Sequence, residues 1–123
     1  MAAFDHSFDA VLAATAAGDR LDEQILVVAA SPRFADPVNR LGCLRGISAL
    51  TGLALTVEIG DWSRFTGSSI GAYVGLVPSE FASGTSRVQG SITKAGNTHV
   101  RRLLIESAWH HRKSYSTLRG RQD

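Results

Sequence analysis

The densest chemistry in this sequence lies between Ser83 and Arg121. That span carries eight Lys or Arg against one acid, Glu106, and it opens on hydroxyls at Ser83, Thr85, Ser86, Ser91 and Thr93. Arg87 and Lys94 stand among the hydroxyls. Arg101 and Arg102 follow in a run that reads as a helix, "NTHVRRLLIESAW". Arginine can grip a phosphate through two parallel hydrogen bonds. The free amides and dipole at a helix start also favour an anion. A hydroxyl beside such a pocket is what phosphoryl transfer through a covalent serine requires. An alcohol is a weak nucleophile, so it needs a base, or cations that stabilise the developing charge. The plain alternative is loop hydrogen bonding for each hydroxyl and a solvated basic face for the cations.

The remaining reactive side chains narrow the chemistry. His110 and His111 are adjacent and would point about 100° apart on a helix, which suits chelation poorly. No HExxH spacing or carboxylate cluster accompanies them, so the sequence predicts no metal site in this chain. His99 stands near the expected anion site, where a part in proton transfer is open. "GDWSRFTG" and "GSSIG" fit neither a Walker loop nor a dinucleotide fingerprint, and no GxSxG elbow occurs. Cys43 is the single cysteine. It excludes an internal disulfide and a cysteine zinc site, and it reads as a small buried apolar thiol.

These residues need elements to hold them. Residues 5–29 are alanine-rich, with apolar Phe8, Val11, Leu12, Leu21, Ile25 and Leu26, and predict a helix weakened by Gly18. "SPRFADP" breaks it, because proline removes a donor and restricts the residue before it. Next, Leu41 and Leu44 suit one face of a short helix. After "RGIS", Leu50, Leu53, Ala54 and Val57 recur at helical spacing, with Gly60 as a left-handed stop. This is helix, tight turn, helix. In a helix-hairpin-helix, the turn amides bind a DNA phosphate without reading sequence, which makes Gly46 and Ser48 candidate contacts. An ordinary helical hairpin is the alternative.

Ser68 or Ser69 is expected to cap a short helix ending near Gly75, with Trp62, Phe65 and Tyr73 in the core. Residues 79–97 read as a long Ser/Gly-rich loop of the functional kind; a brief hairpin within "SRVQGSIT" is the other reading. Asn97 or Thr98 should cap the last helix. Val100, Leu103, Leu104, Ser107 and Ala108 would form its inner stripe, with Arg101, Arg102, Glu106 and His110 largely away from it. The expected fold is mainly α: a small helical domain with a helix-hairpin-helix-like hairpin and a long active-site loop.

Length and composition set the frame. The chain has 123 residues, suiting one domain that buries roughly two thirds of its unfolded surface. Hydrophobic residues are 44% and charged residues 20%, ordinary for a globular protein. No apolar run approaches the ~20 residues of a membrane helix, and the acidic start is unlike a signal peptide, so a cytoplasmic protein without membrane contact is expected. The net charge of +2 is lopsided: residues 1–61 sum to −4 and residues 62–123 to +6. A basic half suggests a polyanion, most often nucleic acid.

The stretches "LRGISALTGLALTVEIGDWSRF", "IGAYVGLVPSEFASG" and "GSITKAGNTHVRRLLIESAWHHR", in that order, resemble the C-terminal domain of the IS110 class of bacterial insertion-sequence transposases. The resemblance covers about residues 39–113. Residues 1–38 resemble the helical segment before that domain, and 114–123 are expected to be a frayed tail. The resemblance implies DNA recombination by two parts. A RuvC-like domain holds divalent metal on acidic residues, and the C-terminal domain supplies a serine that attacks a DNA phosphodiester. That serine would be Ser83, with Arg87, Lys94, Asn97, Arg101 and Arg102 as phosphate and backbone contacts. It further implies a structured non-coding RNA and a homo-oligomer when complete. The family's hairpin turn usually reads "PGIG"; here it reads "RGIS". No RuvC-like acidic set is present, so the chain is expected to hold no cofactor of its own and to be inactive alone, as a fragment or split component. A non-catalytic helical DNA-binding module and an inactive remnant are the alternative readings.

Overall fold

A computed structural model describes residues 1–112. It contains α1 (Ala2–Ala29), α2 (Ala35–Gly42), α3 (Ala49–Ile59), a 3₁₀ turn (Trp62–Arg64), α4 (Gly67–Val74), β1 (Pro78–Ser83), β2 (Ser86–Ile92), α5 (Thr98–Trp109) and a second 3₁₀ turn (His110–Arg112). The mainly helical class therefore holds. The chain divides into two compact units, Met1–Thr56 and Val57–Asp123. The expected frayed tail lies outside the described residues. Among the described residues, no helix is long and apolar enough to cross a membrane.

In the first unit, α1 runs 28 residues, about 42 Å at 1.5 Å per residue. Only Ala29 of it is buried. Ala29 meets Val38 of α2 and Leu53 of α3 in one small core, flanked by Ile25 and Phe34. Phe4, Phe8, Val11 and Leu12 stay exposed. The proline-marked break is a turn in which Ser31 O accepts from the amides of Phe34 and Ala35. Between α2 and α3 the chain turns through Gly46 at φ 89°, so a helix, a turn and a helix follow in the expected order. Cys43 is exposed, not buried, and its thiol donates to Asn39 O. It sits just past the end of α2, beyond the turn of that helix that buries Val38.

Helix α3 buries a different stripe from the one expected. Leu53, Leu55, Thr56 and Ile59 are inside, whereas Val57 is exposed. Positions 52, 55, 56 and 59 also repeat at helical spacing, and periodicity cannot choose between two apolar stripes on one short helix. Thr56 Oγ1 donates to Gly52 O, which satisfies its buried hydroxyl inside the helix.

In the second unit, Thr66 rather than Ser68 or Ser69 caps α4. Its hydroxyl accepts from the Ser69 amide, and the Ser69 hydroxyl accepts from the Thr66 amide, a reciprocal capping box. Gly75, left-handed at φ 70°, ends the helix. Phe65 packs against Tyr73 in a tilted arrangement, 4.8 Å between centroids and 46° between planes, with Arg64 lying over both rings. Those aromatics are half-buried rather than central. Among the described residues here, the buried side chains are Ile59, Val74, Val100 and Ser107.

The segment expected as one long loop is a β-hairpin. β1 and β2 pair antiparallel, with Glu80 opposite Gln89, Phe81 opposite Val88, Ala82 opposite Arg87 and Ser83 opposite Ser86. Gly84, at φ 60°, takes the first place of the two-residue turn, the site where a hairpin needs glycine. Only residues 93–97 remain a connector. They are bound down by Thr93 N donating to Val77 O and Lys94 N donating to Gly75 O.

Candidate nucleic-acid interface

The structure sorts the sequence-predicted site residues into three places. Gly46 and Ser48 belong to the first unit. There the Ser48 hydroxyl accepts from the Thr51 amide, so it caps the start of α3. Ser83 lies at the hairpin tip with Arg87 nearby in β2. Lys94, Asn97, Arg101 and Arg102 gather at the hairpin base and the start of α5.

At the tip, strand alternation decides what surrounds Ser83. Directly paired residues share a face, and successive residues alternate. Ser83 thus shares its face with Ser86, Phe81 and Val88, whereas Arg87, Ala82, Glu80 and Gln89 occupy the other. Arg87 is also engaged: its guanidinium donates to both Glu80 oxygens, at 2.7 and 2.8 Å. Ser83 is exposed, and among the described residues nothing hydrogen-bonds its Oγ. The six residues of β1 place the tip roughly 20 Å along the strand from its base. A paired hairpin holds its tip one strand length from its ends, so Ser83 stands away from the hairpin base along the ribbon.

At the base, Arg101 is a structural brace. Its Nη1 donates at 3.0 Å both to Val74 O at the end of α4 and to Ala95 O in the connector. This half-buried guanidinium satisfies one carbonyl that the end of α4 leaves open and one in the connector, so Arg101 does not face away as its helical position suggested. Arg102 is exposed and lies 3.6 Å from Glu106, one turn on. Lys94 is exposed and left-handed at φ 55°, the one non-glycine residue described with positive φ.

Asn97 caps α5 as expected, its Oδ1 accepting from the Val100 amide at 3.0 Å. It does a second job that sequence reading missed. Its Nδ2 donates to Glu58 Oε2 at 2.7 Å, and His99 Nδ1 lies 2.9 Å from Glu58 Oε1. The two hydrogen bonds, that from His99 being the stronger influence, hold the Glu58 carboxyl below its ordinary range, although partial desolvation opposes them. An ionised carboxylate only accepts, so His99 Nδ1 carries the proton, and among the described residues nothing hydrogen-bonds Nε2. Glu58 and His99 are 41 residues apart, and no local signal links them. Nearby, Asp61 is also lowered, by the hydroxyl and then the amide of Ser63. Among the described residues, no three His, Cys, Asp or Glu side chains come together as a metal site.

The second unit is thus a small α/hairpin module with an exposed serine at the ribbon tip and a braced, cation-bearing base. The model of the transposase IS116/IS110/IS902 family matches residues 38–121. The chain belongs to that family. It is 41% identical over 80 residues to a Sinorhizobium fredii protein named transposase y4qE, a match covering 64% of this chain and 20% of that protein. It is 36% identical over 90 residues to a family 20 transposase of Pseudomonas aeruginosa, covering 72% and 26%. It is 34% identical over 88 residues to the transposase for insertion sequence element IS1111A of Coxiella burnetii, covering 71% and 23%. The chain spans about a fifth to a quarter of the length of these relatives. No solved structure matches it.

Proposed function

We propose that this chain is the C-terminal, serine-bearing part of an insertion-sequence transposase, a module that binds DNA and presents Ser83 as the nucleophile. The observation that carries the reading is the family match over residues 38–121, which contains Ser83 and the basic segment after it. In the reaction, Ser83 Oγ would bond to a DNA phosphorus while a bond from that phosphorus to a deoxyribose oxygen breaks. The serine proton passes to a base and the leaving oxygen gains one. Charge on the phosphate must be met as this happens. Arg87 lies on the opposite strand face and is paired with Glu80, so this segment brings little positive charge to the tip. The reading therefore assigns that charge to a RuvC-like domain or subunit with divalent metal. It places a structured RNA and further copies of the protein in the working complex.

The test is a denaturing gel for a covalent protein–DNA adduct, made by a full-length transposase carrying this segment. Ser83→Ala should abolish the adduct, whereas Ser86→Ala, across the strand pair, should leave it. An adduct that persists without the Ser83 hydroxyl overturns the assignment. A second reading, a non-catalytic DNA-binding module, draws support from the distance between Ser83 and the cations at the hairpin base. It expects DNA binding by this chain, and no adduct from any assembly.

A further inference from the structure

We propose that His99 is a proton-linked phosphate ligand, positioned by Glu58, at the start of α5. The proposal rests on the DNA-binding reading above and deepens it.

Three arginines of the second unit are already engaged. Arg87 is paired with Glu80, Arg102 lies beside Glu106, and Arg101 is spent on backbone carbonyls. His99 is different. Its Nδ1 is tied to Glu58, and its side chain is 44% exposed. Glu58 is itself fixed from a second side by the Asn97 amide, which is in turn fixed by capping α5. The imidazole is therefore held by a chain of two side chains, Glu58 and Asn97, and leaves one ring nitrogen, Nε2, for a ligand.

That geometry dictates the chemistry. With the proton on Nδ1, neutral Nε2 is an acceptor and cannot bond a phosphate oxygen, which also only accepts. Binding a phosphate there requires Nε2 to take a proton from solvent. The array is then carboxylate, imidazolium, phosphate, with a hydrogen bond on each side of the ring. One proton is gained and no covalent bond between heavy atoms changes. Glu58 stabilises the cationic ring, as carboxylates do for catalytic and metal-binding imidazoles. Glu58 faces the ring from α3. On its own helix, Arg102 is one turn along and directed to Glu106, and Arg101 turns to the Val74 and Ala95 carbonyls. Asp61, beyond α3, is engaged by Ser63. Lys94 lies in the connector before Asn97.

The experiment uses this chain and a fluorescent short DNA duplex. Anisotropy is read at constant ionic strength from about pH 5.5 to about pH 8.5, where imidazoles titrate. The wild-type affinity should fall with rising pH by up to about tenfold per unit, the limit for uptake of one proton. His99→Gln should remove that part of the dependence while keeping a donor for Glu58, so the fold survives; thermal melts at both pH extremes check it. His6, His110 and His111 remain in both proteins, so the difference isolates His99. Glu58→Gln should weaken binding at the acid end, because the cationic ring loses the carboxylate that holds it. Parallel pH curves for wild type and His99→Gln overturn the proposal. So does a Glu58→Gln variant that binds more tightly at every pH, since it marks Glu58 as mere repulsion. DNA binding that is salt-sensitive but indifferent to pH defeats this inference alone. Absence of DNA binding at any pH defeats it together with the function proposed above.

Discussion

Asn97 does two jobs with one amide, and the consequences separate cleanly. Its Oδ1 caps α5 and its Nδ2 holds Glu58. Asn97→Ala should lower stability by about 1 kcal/mol through the cap alone, with more lost if Glu58 then swings free. Asn97→Asp keeps the capping oxygen but sets two carboxylates together, and should lose the second part only. Thermal melts of both variants check this. Glu58 adds a pH signature. Its carboxyl is held below the ordinary value by His99 and then Asn97. Its contribution to stability is therefore complete above the unfolded carboxylate value and disappears as pH falls through the lower folded value. Glu58→Gln should flatten the acid side of a plot of melting temperature against pH, and an unchanged acid side would remove Glu58 from the account. At this scale the sequence was half legible. An Asn just ahead of an apolar-periodic run announces a cap, because capping is local. Glu58 read only as part of a helix end, because its partners lie 39 and 41 residues away. Cys43 misled for a related reason: composition favours a buried thiol, while its place beyond the α2 core turn leaves it outside.

The hairpin and its connector were the least legible elements, and their chemistry explains why. Strands announce themselves by apolar–polar alternation when one face is buried. Here β1 and β2 are exposed almost throughout, so the large apolar side chains are few: Phe81, Val88 and Ile92. Their Ser, Gly and Thr content reads as loop. A lone two-stranded ribbon is marginal in water, so this one depends on its base. There the connector presses against the end of α4. A Cβ on Gly96 would strike Tyr73 O, and one on Gly75 would strike the Ala95 backbone, with both glycines left-handed. Gly84 is also left-handed, but open space surrounds its Cβ position. Gly84→Ala should therefore cost only the left-handed penalty, about 1–2 kcal/mol. Gly75→Ala and Gly96→Ala should cost more, since strain and backbone collision add. Urea melts of the three variants give the ranking, and equal losses would mean the connector yields freely. The Glu80–Arg87 pair crosses the ribbon in the open, and a double-mutant cycle should return a coupling of about 0.2–1 kcal/mol.

Across the whole chain, charge and pairing have to be read together. The sequence shows an acidic first half and a basic second half, which made a polyanion partner legible from composition alone. It does not show which cations are free, because ion pairs depend on strand register and helix phase. Each phosphate neutralised on duplex DNA contributes about 0.9 to the slope of log affinity against log salt. Counting every cation between Ser83 and Arg121 would forecast a steep slope. Arg101 should contribute none of it, because its guanidinium is bound to Val74 and Ala95 carbonyls. Arg87 should contribute weakly while Glu80 holds it with two hydrogen bonds. Glu80→Gln removes the competing charge and leaves Arg87 free to meet a phosphate. DNA affinity should then rise, and the salt slope should steepen by about one. Arg87→Ala in that background should return the slope to its starting value. Arg101→Gln should instead lower the melting temperature with the slope unchanged. A slope that Glu80→Gln leaves untouched would place the DNA away from the ribbon, and Ser83 with it.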